Sequence, residues 1–280
     1  MSITITPIKP AIGAVIDGID LSDIHEQEFD MIKQALLDYQ VIFFRKQNLT
    51  PSKQVALAKG FGSLHIHPIF PHILDVPEII VLDSHQTDLR DNELWHTDVT
   101  FSQTPPLGCV LHAIKVPEKG GDTLWASLSA AYDDLDDDTK AKLQSLNAVH
   151  DIRLSFPKER FGQTAKDIAK LEQIIKDNPS VIHPVIRTHP ESGRQGLFVS
   201  EGFTSHIDGM EKNESRELLD KLFAHSIQDK FSLRWQWQAG DVAIWDNRIT
   251  QHKALFDYGN AHRIMHRATV NGDVPYFKAD

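Results

Sequence analysis

The stretch Trp95-His96-Thr97-Asp98-Val99-Thr100-Phe101 decides how this chain is read. Its apolar, β-branched and aromatic residues predict a strand. In a strand, residues i and i+2 share a face. His96 and Asp98 would then aim an imidazole and a carboxylate into one space, with Trp95, Thr97 and Val99 turned the other way. That pair suits Fe(II), Mn(II) or Zn(II). The rest of the chain must supply a third ligand, a substrate pocket and a wall.

Outward from this stretch, short strand patterns recur. Ile3–Thr6, Ala11–Ile16, Val41–Phe44, Ile79–Leu82, Leu107–Ile114, Asp122–Ala126, Val181–Thr188, Gly196–Val199, Phe231–Trp237, Val242–Trp245 and Arg263–Val270 all read as strands. Helical spacing predicts helices over about 26–39, 133–147, 163–177 and 213–226. Thr50-Pro51 opens another, which ends near Gly60 or Gly62. Asp133, Asp134, Asp136, Asp137 and Asp138 read as a solvated helix N-terminus. A calcium loop would need the glycine and terminal glutamate that this run lacks. Helices inserted among strands, rather than alternating with them, argue against a doubly wound α/β fold. The pattern predicts a mainly β chain with inserted helices (α+β), built as a double-stranded β-helix, or jelly-roll, barrel. No repeat, linker or break in composition divides residues 1–280, which predicts one domain.

Charge excludes some partners. Lys and Arg number 29 against 39 Asp and Glu, a net charge of -10. Neither nucleic acid nor an anionic membrane suits such a surface, although a small anion needs only a local positive pocket. One cysteine, Cys109, rules out an intrachain disulfide framework and fits a reducing cytoplasm. It lies in an apolar run, so it reads as core and not as a thiol catalyst. The opening MSITITPIKP has no secretory pattern, and no apolar run approaches the ~20 residues of a membrane span. The expectation is a cytoplasmic protein.

The third ligand should be a late histidine. Among 15 histidines, His252 is the best candidate, because it follows Trp245-Asp-Asn-Arg-Ile-Thr-Gln251 at the exit of a predicted strand. Two histidines and one carboxylate on one face of a metal form the facial triad of non-haem Fe(II) oxygenases. After His252 come Arg263 and Arg267, spaced by four in a predicted strand and so on one face. Two guanidiniums inside a barrel call for anions, and bidentate hydrogen bonds suit carboxylates or sulfonates. The alternative is a pair of structural salt bridges.

His96-x-Asp98, Thr123 in Gly120-Gly-Asp-Thr-Leu-Trp125, Trp245-Asp-Asn-Arg248 with His252, and Arg263-Ile-Met-His-Arg267 together closely resemble the Fe(II)/2-oxoglutarate-dependent dioxygenases of the taurine dioxygenase group. Leu64-His-Ile-His-Pro68, His183-Pro-Val-Ile-Arg-Thr-His-Pro190 and Glu201-Gly-Phe-Thr204 extend the resemblance in the same order. The resemblance implies that His96, Asp98 and His252 bind iron, and that Thr123 and Arg263 hold the distal carboxylate of 2-oxoglutarate. It implies that Arg267 faces the substrate sulfonate, with His67 and Asn92 completing that pocket. Val99 and Phe70 would line it, and Phe156 and Phe203 would add an apolar wall. Without the family, His67 reads as a loop histidine and Asn92 as a turn asparagine. Where the group usually has tyrosine, this chain has Phe70, which removes a hydroxyl contact and bears on substrate preference, not on the iron chemistry.

The implied reaction takes taurine, 2-oxoglutarate and O2 to sulfite, aminoacetaldehyde, succinate and CO2, for sulfur acquisition. Another sulfonate, an alkyl sulfate ester or an aryloxy acid would suit the same site. A barrel that binds metal and a small acid without turnover, or a hydrolytic zinc site, are more distant alternatives. The group also implies a homodimer or homotetramer.

Overall fold

A computed structural model describes residues 3–66, 70–87, 89 and 93–279. In chain order its strands are β1 (Thr4–Pro7), β2 (Ala14–Asp17), β3 (Val41–Phe44), β4 (Leu64–His65), β5 (His72–Ile73), β6 (Val76–Asp83), β7 (Gly108–Lys115), β8 (Thr123–Ser127), β9 (Asn147–His150), β10 (Val181–Pro184), β11 (Ile186–Thr188), β12 (Gln195–Leu197), β13 (Thr204–Ile207), β14 (Ser232–Trp235), β15 (Val242–Asp246), β16 (Thr250–Ala254) and β17 (Ile264–Val270). The helices are α1 (Glu26–Tyr39), α2 (Pro51–Lys59), α3 (Leu128–Asp133), α4 (Asp137–Leu143), α5 (Lys158–Phe161), α6 (Ala165–Asp177) and α7 (Lys212–Ser226). None is long and apolar enough to cross a membrane.

Two sheets make the jelly-roll. The larger runs β1-β2-β3-β15-β7-β17-β6-β5, with β4 also paired to β17. The smaller runs β14-β8-β16. Val41 and Phe43 of β3, Ala243 and Trp245 of β15, Leu111 of β7 and Met265 of β17 share one core with Trp125 of β8 and Leu233 and Trp235 of β14. Phe43 stacks on Trp235 with centroids 4.0 Å apart. The opposite face of the large sheet carries Ile42, Phe44, Val242, Ile244 and Val110. These pack under Ile32, Ala35 and Leu36 of α1 and Val55 and Leu57 of α2. The apolar run Val41–Phe44 therefore has no polar alternation because both of its faces are buried. Thr50 caps α2 as its spacing predicts, accepting a hydrogen bond from Lys53 N–H.

Three expectations need correction. The stretch Trp95–Phe101 is not a strand: His96 makes a single antiparallel bridge with His252, and the chain turns over Asp98–Phe101. The helix expected over 133–147 is instead α3 and α4, followed by β9. Asp136 starts α4 by accepting Thr139 N–H at 2.8 Å, which breaks the periodic pattern. Of the acidic run, Asp137 and Asp138 do lie in a first turn, but Asp133 ends α3 and Asp134 pairs with Lys230. The single strand expected over 181–188 is β10 and β11, in different sheets.

The connection from β15 to β16 carries a buried ionic cluster. Arg248 Nε and Nη2 donate to the two carboxylate oxygens of Asp246 at 2.9 and 2.6 Å, and Nη1 donates to Glu191 at 2.7 Å. His189 Nε2 lies 2.9 Å from Asp246 Oδ2. Truncating one partner leaves a buried charge unpaired, at a cost of about 3–5 kcal/mol. Arg248→Ala should therefore lower the urea midpoint of unfolding by that much stability, and an unshifted midpoint would contradict the arrangement.

Candidate metal and anion site

The bridge between His96 and His252 brings two chain-distant histidines together. His96 N–H donates to His252 O at 3.0 Å, and His252 N–H to His96 O at 2.8 Å. Thr97 Oγ1 donates to Thr250 O at 2.9 Å beside it. The following turn places Asp98 between the rings. Its Oδ1 is 3.7 Å from His96 Nε2 and its Oδ2 is 3.9 Å from His252 Nε2. One donor atom from each residue lies within 4.8 Å of the others, and all three side chains are buried.

Local contacts aim these groups. His96 Nδ1–H donates to Leu94 O at 2.8 Å, which leaves the Nε2 lone pair facing Asp98 and His252. The His252 ring lies over Trp125, with planes 23° apart, and its centroid is 4.9 Å from that of Trp245. Burial lowers the pKa of His96, and lowers that of His252 to about 3. Both rings are therefore neutral at pH 7, the form that binds metals. Burial alone would raise the Asp98 pKa, but the Arg267 guanidinium, the two imidazoles and the Cys109 thiol outweigh it and hold the carboxyl well below its usual range. Two neutral imidazoles and one carboxylate, with three donor atoms facing one another, fit a divalent ion.

Cys109 is core, as expected, but it also touches this cluster. Its Sγ is 3.5 Å from Asp98 Oδ2, and burial pushes the thiol up to about 12, so it donates and does not ionise.

Both arginines are buried beside the cluster. Arg267 Nη1 lies 3.1 Å from Asp98 Oδ1. Among the described residues no carboxylate is within ion-pair distance of Arg263, and its buried Nε has no hydrogen-bond partner. Thr123 Oγ1 accepts from Trp237 Nε1 at 2.9 Å, which leaves its own proton free to donate. Thr123, Arg263, Arg267 and His252 line one cavity. An orphaned guanidinium N–H beside a spare hydroxyl proton is a donor set for a carboxylate.

The remaining expected residues divide. Val99, Phe156 and Phe203 meet in one apolar cluster with Phe101, Ile152 and Leu171. The Phe203 ring stands edge-on to His96 at 6.2 Å, so this cluster walls the histidine side. Phe70 is partly buried and packs against the barrel core to which Ile80, Leu82, Leu89 and Trp125 belong. His67 and Asn92 lie outside the described residues.

Gly202 and Asn247 stand out in the sequence only as members of the Glu201–Thr204 and Trp245–Arg248 motifs, with no role of their own. Gly202 N–H donates to Trp95 O at 2.9 Å, and an added Cβ would come within 2.8 Å of His96 Cβ. No flexible tip is available to yield there, so the histidine backbone must move. Gly202→Ala should weaken Mn(II) binding by roughly tenfold, the low end of what displaced ligand support costs. Isothermal titration with Mn(II) checks this, and an unchanged affinity would refute it.

Comparisons with known proteins identify the family. The profile of the family described as "Taurine catabolism dioxygenase TauD, TfdA family" matches residues 4–269. The alkylsulfatase of Acinetobacter baylyi is 37% identical over 94% of this chain and 83% of its own. An alpha-ketoglutarate-dependent sulfate ester dioxygenase of Pseudomonas putida is 37% identical over 98% of this chain and 91% of its own. The crystal structure of a taurine dioxygenase from Burkholderia xenovorans superposes with a TM-score of 0.84 at 35% identity, covering 98% of this chain and 91% of that one. The chain therefore belongs to the TauD/TfdA family of dioxygenases, which use Fe(II) with 2-oxoglutarate and O2 as co-substrates.

Proposed function

We propose that the protein oxidises the carbon next to the sulfonate of taurine. The observation that carries this reading is Arg267: a buried guanidinium 3.1 Å from Asp98 would hold an anionic substrate directly beside the metal cluster. His96, Asp98 and His252 are the iron ligands, which their mutual distances and neutral imidazoles support. Arg263 and Thr123 receive the distal carboxylate of 2-oxoglutarate, which their unused donors support. Arg267 takes the sulfonate, with His67 and Asn92 as its companions and Val99 and Phe70 along the substrate. Phe156 and Phe203 exclude water on the His96 side.

Bound there, Fe(II) supplies O2 activation coupled to the decarboxylation of 2-oxoglutarate to succinate and CO2. The protein residues orient the substrate so that the carbon bearing sulfur is the one hydroxylated. That carbon then carries both a hydroxyl and a sulfonate. Loss of the hydroxyl proton and cleavage of the C–S bond release sulfite and aminoacetaldehyde.

A second reading is an alkyl sulfate ester, which would give sulfate and an aldehyde. The apolar cluster of Val99, Phe156 and Phe203 favours it, because an alkyl chain gains more from such a wall than the charged amine of taurine does. The test is a panel of taurine, longer alkylsulfonates, alkyl sulfates and aryloxy acids, with 2-oxoglutarate present and absent. Taurine-dependent sulfite with matching succinate supports the first reading. Sulfate from alkyl esters with no sulfite from taurine would replace it with the second.

A further inference from the structure

We propose that Asn247 is the positioning residue that fixes the Asp98 carboxylate in register with His252. This rests on Asp98 serving as a metal ligand. Asn247 follows β15 in the connection that delivers His252, and it is fully buried. Its side-chain Oδ1 accepts Asp98 N–H at 2.8 Å. Its Nδ2 donates to Asp98 O at 3.0 Å and to Pro106 O at 3.1 Å. Its own N–H donates to Leu107 O at 2.8 Å. One amide thus grips both sides of Asp98. The orientation of the amide follows from its neighbours, since a flipped group would set its donors against an N–H and its oxygen against two carbonyls.

The turn at Asp98 needs such a grip. Val99, the next residue, has φ 54. A β-branched side chain in the left-handed region costs on the order of 1–3 kcal/mol and persists only when its surroundings impose it. On the far side of the turn, His183 Nε2 lies 2.9 Å from Thr100 O and 3.0 Å from Ser102 O. Of these contacts, only those of Asn247 fall on Asp98 itself. The same short connection therefore supplies His252 through β16 and holds the carboxylate that must meet it. Loss of the amide frees the turn to relax, which swings the carboxylate away from the two imidazoles.

Mn(II) binding to the full-length protein, followed by electron paramagnetic resonance of the free ion, tests this without turnover. Asn247→Ala should raise the Mn(II) Kd by about 10–100-fold, the usual cost of losing a ligand's support. Thr97→Val is the control: it removes the Thr97–Thr250 link between the same two segments without touching Asp98, and should leave the Kd within about twofold. If Asn247→Ala does not fold, Asn247→Ser carries the comparison, because its shorter side chain cannot span to both Asp98 groups. An Asn247 variant that melts lower yet binds Mn(II) like the wild type would overturn the proposal, since the residue would then be structural only. Equal weakening by Thr97→Val would also overturn it. Asp98→Ala run alongside separates the two claims: if it too leaves Mn(II) binding intact, the metal-site reading has failed and not only the role of Asn247.

Discussion

Replacing Asp98 by alanine should reduce succinate release from 2-oxoglutarate by at least about 10³-fold, the equivalent of losing several kcal/mol of metal-derived stabilisation. The charges around the site explain why the loss is so large. Both imidazoles are neutral, because burial lowers their pKa values. Asp98 is the carboxylate that faces them, and it balances the Arg267 guanidinium at 3.1 Å. Without it, a divalent cation meets two neutral ligands and an adjacent positive charge. Asp98→Asn should fare no better, since it keeps the shape but removes the same charge. Anaerobic titration with Fe(II) and 2-oxoglutarate reads the site directly. The visible absorption band of the chelated keto acid should form in the wild type and be missing in both variants. Full activity in either would sink the triad.

The site was more legible in the sequence than the backbone that builds it. His96, Asp98 and His252 converge as their residue types and order imply. Yet the strand that first linked His96 to Asp98 does not exist. Its β-branched and aromatic residues favour extended chain, and tertiary hydrogen bonds from Asn247 and His183 override that preference. The short apolar runs Val41–Phe44 and Val242–Trp245 were readable because burial on both faces leaves no polar alternation. The break between α3 and α4 was not, because one aspartate serving as a cap looks like any other in an acidic run. The role of Gly202, although it sits in the Glu201–Thr204 motif, could not be read from the sequence. Its significance is a distance to His96 across the fold, and no local pattern encodes that.

Asn247 and Arg248 are adjacent and do different work. Arg248 satisfies the buried carboxylate of Asp246, a matter of fold stability. Asn247 reaches the other way, to the main chain of Asp98. The sequence offers both as parts of one Trp-Asp-Asn-Arg motif, and only their partners distinguish them. Metal affinity and urea midpoint should separate accordingly: Arg248→Ala moves chiefly the second, Asn247→Ala chiefly the first.

Acid should unfold the chelator-treated protein far above the pH at which its carboxylates titrate. Burial lowers the pKa of His112 to about 4 and that of His252 to about 3; burial and the neighbouring His183 hold His150 well below its usual value, and burial also lowers His65, His96, His183 and His266. In the unfolded chain each returns to about 6.5. Below that pH the unfolded state binds protons that the folded state refuses, so stability falls as pH drops from 6.5 towards the folded values. His112 and His252 each cost about 2 kcal/mol by pH 5, on the order of 4 kcal/mol together, and the other histidines lowered by burial add to the loss in the same direction. That is a large share of a typical domain's stability of about 5–15 kcal/mol. Asp98 and Asp246, whose folded pKa values are depressed, add nothing in this window, because their stability is lost only below about pH 4. Asp241, raised by burial, works in the opposite direction and offsets a small part. Urea midpoints at pH 7.5 and pH 5 in excess chelator measure the sum, and a midpoint that holds at pH 5 would mean these histidines are not buried as neutral rings. His112→Gln should recover about 2 kcal/mol of the loss between the two pH values, which is that histidine's own share. Adding Mn(II) should raise the midpoint at both pH values without steepening the slope, because the metal binds only the folded chain and the buried His252 ring, lowered to about 3, is already free of protons at pH 5.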